Sequence, residues 1–383
     1  MRLIKGNIRQ FGMIIALVFI ASLFQILTNG VLLRPGNVVN LVLQNSYILI
    51  LAIGMMLVII TGRVDLSVGS LVAFTSALSG IFIIRMNWPV WVAIIVVLLV
   101  GALSGAWNGF WIAYKNIPFF VVTLGGMMVF RGLTMTVLAG QTLSPFPAYF
   151  HDLAAGFLPN IGGGTAVNIT AIVAAVVAIA GYLFVEVRNR RNSQKYLVTV
   201  SSTSIFIAKI TVVSAVIAVF GYWFAMSRGV PKVMILLIIL IVGYSFVTNK
   251  ATIGRHIYAT GGDAKAAELS GVKVKQVVFW VYVNMGVLAA LAGLVFAARL
   301  NAATPRAEAG FELQAIAASF IGGAGAYGGV GKITGAIIGA LVMGILNNGL
   351  SHLGVGADIQ LGITGGVLLL AIIFDVFAKR SKA

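Results

Sequence analysis

The segment that organises this chain reads Gly261-Gly262-Asp263-Ala264-Lys265-Ala266-Ala267-Glu268-Leu269-Ser270-Gly271-Val272. It lies in a polar, basic stretch at 250–276, between two long apolar runs. Asp263 is suited to cap a helix, the alanines favour one, and Gly271 is suited to end it. Loops rich in Lys and Arg stay on the cytoplasmic side of a membrane. The segment therefore predicts a short amphipathic helix at the cytoplasmic surface, or alternatively a solvated linker between two membrane spans.

The rest of the composition is that of a membrane protein. Of 383 residues, 60% are hydrophobic and 9% are charged, whereas about a quarter of the residues in soluble domains are charged. The net charge of +17 is better explained by a basic cytoplasmic surface facing anionic membrane lipid than by nucleic-acid binding. The chain has no Cys, and His151, His256 and His352 are scattered. We therefore expect no disulfide framework and no metal site.

Apolar runs of the length that crosses a bilayer recur along the whole chain. They predict an all-α polytopic membrane helix bundle with about 10–12 crossings, some of them broken half-helices. The runs at 66–84 and 313–329 are weak or interrupted by Gly. With the basic N-terminus placed inside, most Lys and Arg fall on the inside, and the external loop at 141–164 has none. This bias predicts that the N-terminus and the C-terminus are both cytoplasmic.

The domain organisation is predicted to be a single transmembrane domain over 1–383. The pattern Gly-Ala-Leu, Gly, Asn at 101–108 recurs at 339–347, and the two copies run in opposite directions in the predicted topology. This indicates either a two-copy inverted repeat, as in many transporters, or a chance similarity between Gly-rich helices. A polar, basic stretch makes the segment near 180–230 insertion-like.

Candidate functional residues are a carboxylate beside a span and neutral amides within spans. Asp65 lies in Thr61-Gly62-Arg63-Val64-Asp65-Leu66-Ser67-Val68-Gly69-Ser70, with Arg63 as its nearest partner, and it is also suited to cap the following helix. The functional interpretation is a gate at the cytoplasmic end of a pathway. Neutral amides bind sugar hydroxyls or bridge helices. The predicted pathway or gate residues are Gln44, Asn45, Asp65, Ser67, Asn108, Asn347 and Asn348.

Nothing in the sequence indicates catalysis within this chain. The Gly-rich run at 322–332 is not a phosphate-binding loop, because Ala326 stands where the first Gly belongs and Ile333 where Ser or Thr would bind magnesium. The run is better interpreted as a tight re-entrant turn between helices. No Ser/His/Asp set, carboxylate pair or metal cluster is apparent. We therefore expect no enzyme activity, no catalytic residue, no metal and no cofactor in this chain.

Four ordered motifs resemble a known family. The segment 61–70 resembles the Thr-Gly-Gly-Ile-Asp-Leu-Ser-Val-Gly-Ser signature of monosaccharide permeases of ATP-binding cassette (ABC) importers, of the ribose, xylose and arabinose type, and departs from it at Arg63. The segments 310–323 and 339–350 also match. Ala266-Ala267-Glu268-Leu269-Ser270-Gly271 resembles the Ala-Ala-x-x-x-Gly core of the ATPase-docking loop. The extra length near 180–230 resembles the xylose or multiple-sugar subgroup.

The resemblance implies a multi-pass permease subunit of the bacterial inner membrane that conducts a monosaccharide such as xylose. Its expected partners are a second permease copy in a homodimer, a periplasmic sugar-binding protein, and cytoplasmic ATPase subunits that hold ATP and magnesium. The coupling residues would be Asp263, Ala266, Ala267, Glu268, Leu269, Ser270 and Gly271.

Two alternatives remain open. In a branched-chain amino acid permease, Arg131 would meet the substrate carboxylate. In an ion-coupled secondary transporter, the coupling residue would be Asp65, Asp358 or Asp375.

Overall fold

A computed structural model describes residues 8–163, 167–196, 202–305 and 310–380, with side chains from 12 to 373. These ranges fold into fifteen α-helices and one π-helical turn, Ile81–Arg85. The helices are α1 Ile8–Leu27, α2 Pro35–Ile60, α3 Val68–Gly80, α4 Val90–Ala113, α5 Phe119–Leu138, α6 Ala148–Ala155, α7 Ile169–Lys195, α8 Thr203–Ala225, α9 Lys232–Lys250, α10 Thr252–Gly262, α11 Ala264–Leu269, α12 Val274–Leu300, α13 Phe311–Ile321, α14 Ile333–His352 and α15 Ala357–Arg380.

Most of these helices have the length and composition of membrane spans. Within the described ranges, nine helices are long and apolar enough to cross a membrane. They are α2, α3 with its π-helical turn, α4, α5, α7, α8, α9, α12 and α14. Shorter apolar helices are Gly12–Leu27, Phe311–Ile321 and Ala357–Ile373. The predicted polytopic helical membrane fold is confirmed, whereas the cytoplasmic location of the two termini stays a prediction.

The short elements predicted from weak apolar runs are present. The α-helical part of α3 has 13 residues and continues as the π-helical turn to Arg85, whereas α13 has 11 residues, about half the length that a span needs. The loop at 141–164 contains the short helix α6. The loop at 322–332 turns back on itself, because Gly325 N donates to Val330 O and Gly328 N donates to Gly325 O, each at 2.9 Å.

The chain divides into two compact units. The first contains 1–32, 41–155 and 233–383, and the second contains 33–40 and 156–232. In the second unit, α7 and α8 pack side by side, and a Cβ on Gly221 would lie 2.4 Å from the Cβ of Ala175. The insertion-like segment near 180–230 falls in this unit. The single domain over 1–383 and the inverted repeat remain predictions.

The centre of the first unit is built from α2 and α12, and small residues set its packing. Every side chain of α2 from 48 to 60 is buried. Helix α4 approaches α12 through Gly101, Gly105 and Gly109, spaced one turn apart. A Cβ on Gly105 would lie 2.3 Å from the carbonyl oxygen of Tyr282, so a larger residue would separate the two helices. Gly at such contacts lets membrane helices pack backbone to backbone.

Candidate functional site

The short helix predicted in the opening segment is present as α11, and its ends form as expected. Asp263 is the N-cap, and its Oδ1 accepts a hydrogen bond from Ala266 N at 2.9 Å. Gly271 has a φ of +85°, which a residue with a Cβ rarely adopts. We call residues 252–272, which contain α10 and α11, the docking segment.

The docking segment presents an apolar residue to its surroundings. Leu269 is 85% exposed, and Ala266, Glu268 and Ser270 are exposed around it. Ala267 is buried within the chain, because it lies on the side of α11 opposite to the exposed residues. Ala267, one of the predicted coupling residues, is therefore not part of the outward face, which consists of Ala266 and Leu269 with a polar rim.

The docking segment joins the rest of the first unit through backbone contacts. A Cβ on Gly261 would lie 1.6 Å from Ile60 O and 2.8 Å from Gly329 N. Gly329 N donates to the same Ile60 O at 2.8 Å. A Cβ on Gly328 would lie 2.8 Å from Gly62 N. We call Ile60, Gly62, Gly261, Gly328 and Gly329 the glycine junction; it brings α10, the end of α2 and the 322–332 loop together.

Beyond the glycine junction, the segment 61–67 leads to a buried polar cluster formed by Asp65, Ser67 and Asn108. Asp65 Oδ1 accepts from Ser67 N at 2.9 Å and from Ser67 Oγ at 2.6 Å. Asn108 Nδ2 on α4 donates to Ser67 Oγ at 2.9 Å. All three residues are buried. The structure thus brings together three of the predicted pathway residues, from two separate parts of the chain.

The role of Asp65 differs in detail from the sequence prediction. Its carboxylate accepts from Ser67, whereas the Arg63 guanidinium donates from Nη1 to Thr61 O at 2.8 Å. Helix α3 begins at Val68 with Ser67 as its N-cap residue, so the prediction that Asp65 caps α3 is wrong. Asp65 instead makes a turn with Ser67, the residue immediately before the helix.

Burial governs the protonation of this segment. It raises the pKa of the Asp65 carboxyl to about 6, and the two hydrogen bonds from Ser67 oppose this rise. Burial also lowers the pKa of the Arg63 guanidinium. Desolvation disfavours the charged form of both groups. The neutral form of Asp65 is therefore accessible near neutral pH.

The buried polar cluster lies behind a groove on α4 and α5. In the part of the chain that the structure describes, the buried atoms Asn108 Oδ1 and Thr123 Oγ1 have no hydrogen-bond partner. A Cβ on Gly126 would lie 3.1 Å from Asn108 Oδ1. Gly126 also lines a groove of about 600 Å³, together with Ser104 and Trp107. Gly126 therefore lines the groove and also lies next to the amide of Asn108.

The remaining predicted pathway residues lie elsewhere in the first unit. Asn45 is buried, and its Nδ2 donates to Leu41 O of the same helix at 2.8 Å. A Cβ on Gly344 of α14 would lie 2.6 Å from that nitrogen. Gln44 is exposed, Asn347 is half-buried and Asn348 is buried. The hydrogen bond of Asn45 lies within its own helix, and a pathway role for these four residues stays a prediction.

One acidic residue near the buried polar cluster was missed by the sequence analysis. A Cβ on Gly69 would lie 2.2 Å from Glu312 Oε2 and 3.3 Å from Glu312 N. The first turns of α3 and α13 therefore meet at this point, where a carboxylate is favoured by the positive ends of both helices. The sequence feature that could have identified Glu312 is its position as an acidic residue at the start of an apolar helix.

Comparisons with known proteins place this chain among transport permeases. The family described as "Branched-chain amino acid transport system / permease component" matches residues 37–372. The xylose transport system permease protein XylH of Haemophilus influenzae is 37% identical over 374 residues, which cover 98% of each chain. XylH of Escherichia coli is 37% identical over 375 residues, covering 98% of this chain and 93% of that protein. The ribose import permease protein RbsC of Escherichia coli is 33% identical over 342 residues, covering 89% and 85%. No solved structure gives a significant match.

Proposed function

We propose that this chain, which belongs to the family described as "Branched-chain amino acid transport system / permease component", carries xylose or a related monosaccharide. It is a multi-pass inner-membrane permease of an ABC importer. The sugar is inferred from the relatives, since proteins named as xylose permeases align with nearly the whole chain. We expect no ATP hydrolysis by the chain alone, with ATP and magnesium held by its partner ATPase.

The proposed mechanism rests on two features of the structure, the docking segment and the glycine junction. Exposed Leu269 and Ala266 offer an apolar contact to an ATPase subunit, which this family requires as a partner. Gly261 rests on Ile60 at the end of α2. Movement of the ATPase would therefore be transmitted to α2 and to the 322–332 loop through contacts between backbone atoms. Such contacts deform less than contacts between side chains do.

The buried polar cluster is the proposed gate. Ser67 is connected to the glycine junction by only a few residues, and it is hydrogen-bonded to Asn108 at 2.9 Å. A shift of segment 61–67 would break this contact between α3 and α4 and expose neutral hydroxyl and amide groups at the Gly126 groove. Such groups suit a neutral polyol. We infer that Gln44, Asn45, Asn347 and Asn348 contribute along the same pathway in a dimer of two permease copies.

Reconstituted uptake tests this proposal. The chain, its ATPase and its periplasmic binding protein are assembled in vesicles, and ATP-dependent uptake of radiolabelled xylose, ribose and leucine is compared. Uptake of leucine without uptake of either sugar would assign the chain to amino acid transport and refute the sugar proposal.

A matched pair of variants tests the docking contact. Leu269→Asp places a charge on the docking segment and should abolish ATPase co-purification and uptake. Leu153→Asp is the control, because Leu153 is also exposed, at 52%, but lies on α6. Equal behaviour of the two variants would contradict docking through α11.

A further inference from the structure

A cavity of about 530 Å³ lies beside the docking segment. Residues of α2, α9, α10 and α12 line it, together with Gly271 and Lys273 from the connection between α11 and α12. Its volume falls within the range of small-molecule sites. An occupant would touch the link between α11 and α12, so it would affect the docking segment directly.

The walls of the cavity are largely aliphatic. Leu57 and Ile257 are buried in the wall, and Val247 and Val277 are half-buried. Trp280 contributes a ring that is 64% exposed. A sugar would lose hydrogen bonds to water against this surface, which costs free energy. An acyl chain loses none, because its methylene groups form no hydrogen bonds.

One end of the cavity is polar and basic. Lys273 immediately precedes α12, a helix of 27 residues, and His256 and Gln276 also line the cavity. The first turn of a helix has free N–H groups and partial positive charge, which favour phosphate. The charge complementarity of this end therefore points to an anion that also carries an apolar portion.

A lining residue further along α12 holds a buried donor. Asn284 lines the cavity, and its Oδ1 accepts a hydrogen bond from the Tyr244 hydroxyl. Among the described residues, Asn284 Nδ2 is buried without a hydrogen-bond partner. Side chains on a helix lean toward its N-terminus, so this donor leans toward the basic end.

We propose that this cavity binds an anionic phospholipid, with the phosphate at Lys273 and His256 and the acyl chains along the aliphatic walls. Phospholipid is the ligand that combines a phosphate, ester carbonyls and long apolar chains. The site is separate from the docking contact of Leu269 and from the buried polar cluster.

Fluorescence quenching tests the proposal. The full chain, with Trp280 as its sole tryptophan, is reconstituted in phosphatidylcholine vesicles that contain a minor fraction of brominated phosphatidylglycerol. Bromine quenches a tryptophan that it contacts, so brominated phosphatidylglycerol should quench Trp280 more strongly than the same fraction of brominated phosphatidylcholine. The tryptophans replaced by Phe are Trp88, Trp91, Trp107, Trp111 and Trp223.

Two neighbouring lysines provide matched variants. Lys273→Gln should reduce the preference for phosphatidylglycerol about fivefold, as expected for one basic residue near an anionic headgroup. Lys275→Gln should leave the preference unchanged, because Lys275 carries the same charge and is exposed outside the lining of the cavity. Val277→Phe narrows the cavity and should weaken quenching by phosphatidylglycerol.

Several results would overturn the proposal. Equal quenching by both brominated lipids would mean that Trp280 only faces bulk lipid. No quenching by either lipid would mean that a second copy or another protein covers the cavity. Equal effects of Lys273→Gln and Lys275→Gln would mean that the preference for phosphatidylglycerol arises from general surface charge and not from this cavity. Displacement by soluble glycerol phosphate would assign the site to a free anion.

Discussion

Gly261→Ala is the substitution that tests the glycine junction most directly. The added Cβ would lie 1.6 Å from Ile60 O, 2.7 Å from Ile60 C and 2.8 Å from Gly329 N. Real Cβ atoms do not approach backbone atoms so closely, and none of these atoms lies at the end of a flexible side chain. The docking segment must therefore move away from α2 and from the 322–332 loop.

The size of the effect follows from three contributions. Overpacking of a close contact costs about 1–3 kcal/mol, and loss of the hydrogen bond from Gly329 N to Ile60 O costs roughly 1 kcal/mol more. Alanine favours a helix over glycine by about 1 kcal/mol, which partly offsets these costs. A net cost of about 2 kcal/mol shifts the equilibrium between the packed and the displaced arrangement of the junction more than tenfold toward the displaced one.

The assay is sugar uptake per ATP hydrolysed in vesicles that contain the assembled importer. We expect at least tenfold less uptake for Gly261→Ala, with ATPase association and hydrolysis retained, because Leu269 remains exposed. Gly262→Ala is the control: it makes the same chemical change one residue later, where a Cβ meets nothing within 4 Å. Wild-type uptake with Gly261→Ala, or equal loss with Gly262→Ala, would refute transmission through the junction.

Four further predictions concern the docking segment, the buried polar cluster and the topology. Gly271→Trp should strain the backbone at its φ of +85° and reduce ATPase co-purification and uptake while leaving the permease dimer assembled; unchanged uptake would argue against docking at this segment. Asn108→Leu should remove the bond to Ser67 and lower uptake with about 1–2 kcal/mol lost in stability, whereas a change in stability alone would favour a structural role. Burial raises the pKa of Asp65 from 3.8 to about 6, so the cost of ionising it in the folded protein grows between these two values and levels off above pH 6; thermal stability of the wild type should fall from pH 4 to pH 6, and a similar fall in Asp65→Asn would exclude this carboxyl as the cause. A Cys at Tyr149, which is 60% exposed, should react with an impermeant thiol reagent from outside and a Cys at Arg188 only from inside, and the reverse pattern would invert the orientation.

The fold was largely predictable because the bilayer imposes simple rules on the sequence. Long apolar runs and the cationic bias of loops indicate a polytopic bundle, and capping chemistry identifies α11. The exposure of single residues in a loop is less predictable. A Cys at Phe150 is a natural test of the loop 141–164, but Phe150 is 1% exposed, so Tyr149 is the better position. A short helix in a loop has a buried face that composition alone does not reveal.

The candidate site was only partly predictable, since its contacts join residues far apart in sequence. Asp65 and Ser67 lie in one motif, but their hydrogen bond to Asn108 depends on how α3 packs on α4. The same holds for Glu312, which meets Gly69 across two helix ends. Such contacts are set by tertiary packing, and a residue's own neighbours in the chain do not reveal them.

Ile60 is the residue at which the docking segment contacts the end of α2, just before the segment that leads to the proposed gate. Its carbonyl oxygen is contacted by the docking segment at Gly261 and receives a hydrogen bond from Gly329. The residues before it, 48–60, are all buried, so close packing gives α2 little room to absorb a displacement there. The segment after it contains Asp65 and is held by the Tyr282 hydroxyl, which donates to Val64 O at 3.2 Å. Proximity alone does not establish coupling; the comparison of Gly261→Ala with Gly262→Ala does, because the two variants differ in whether the new methyl group reaches Ile60.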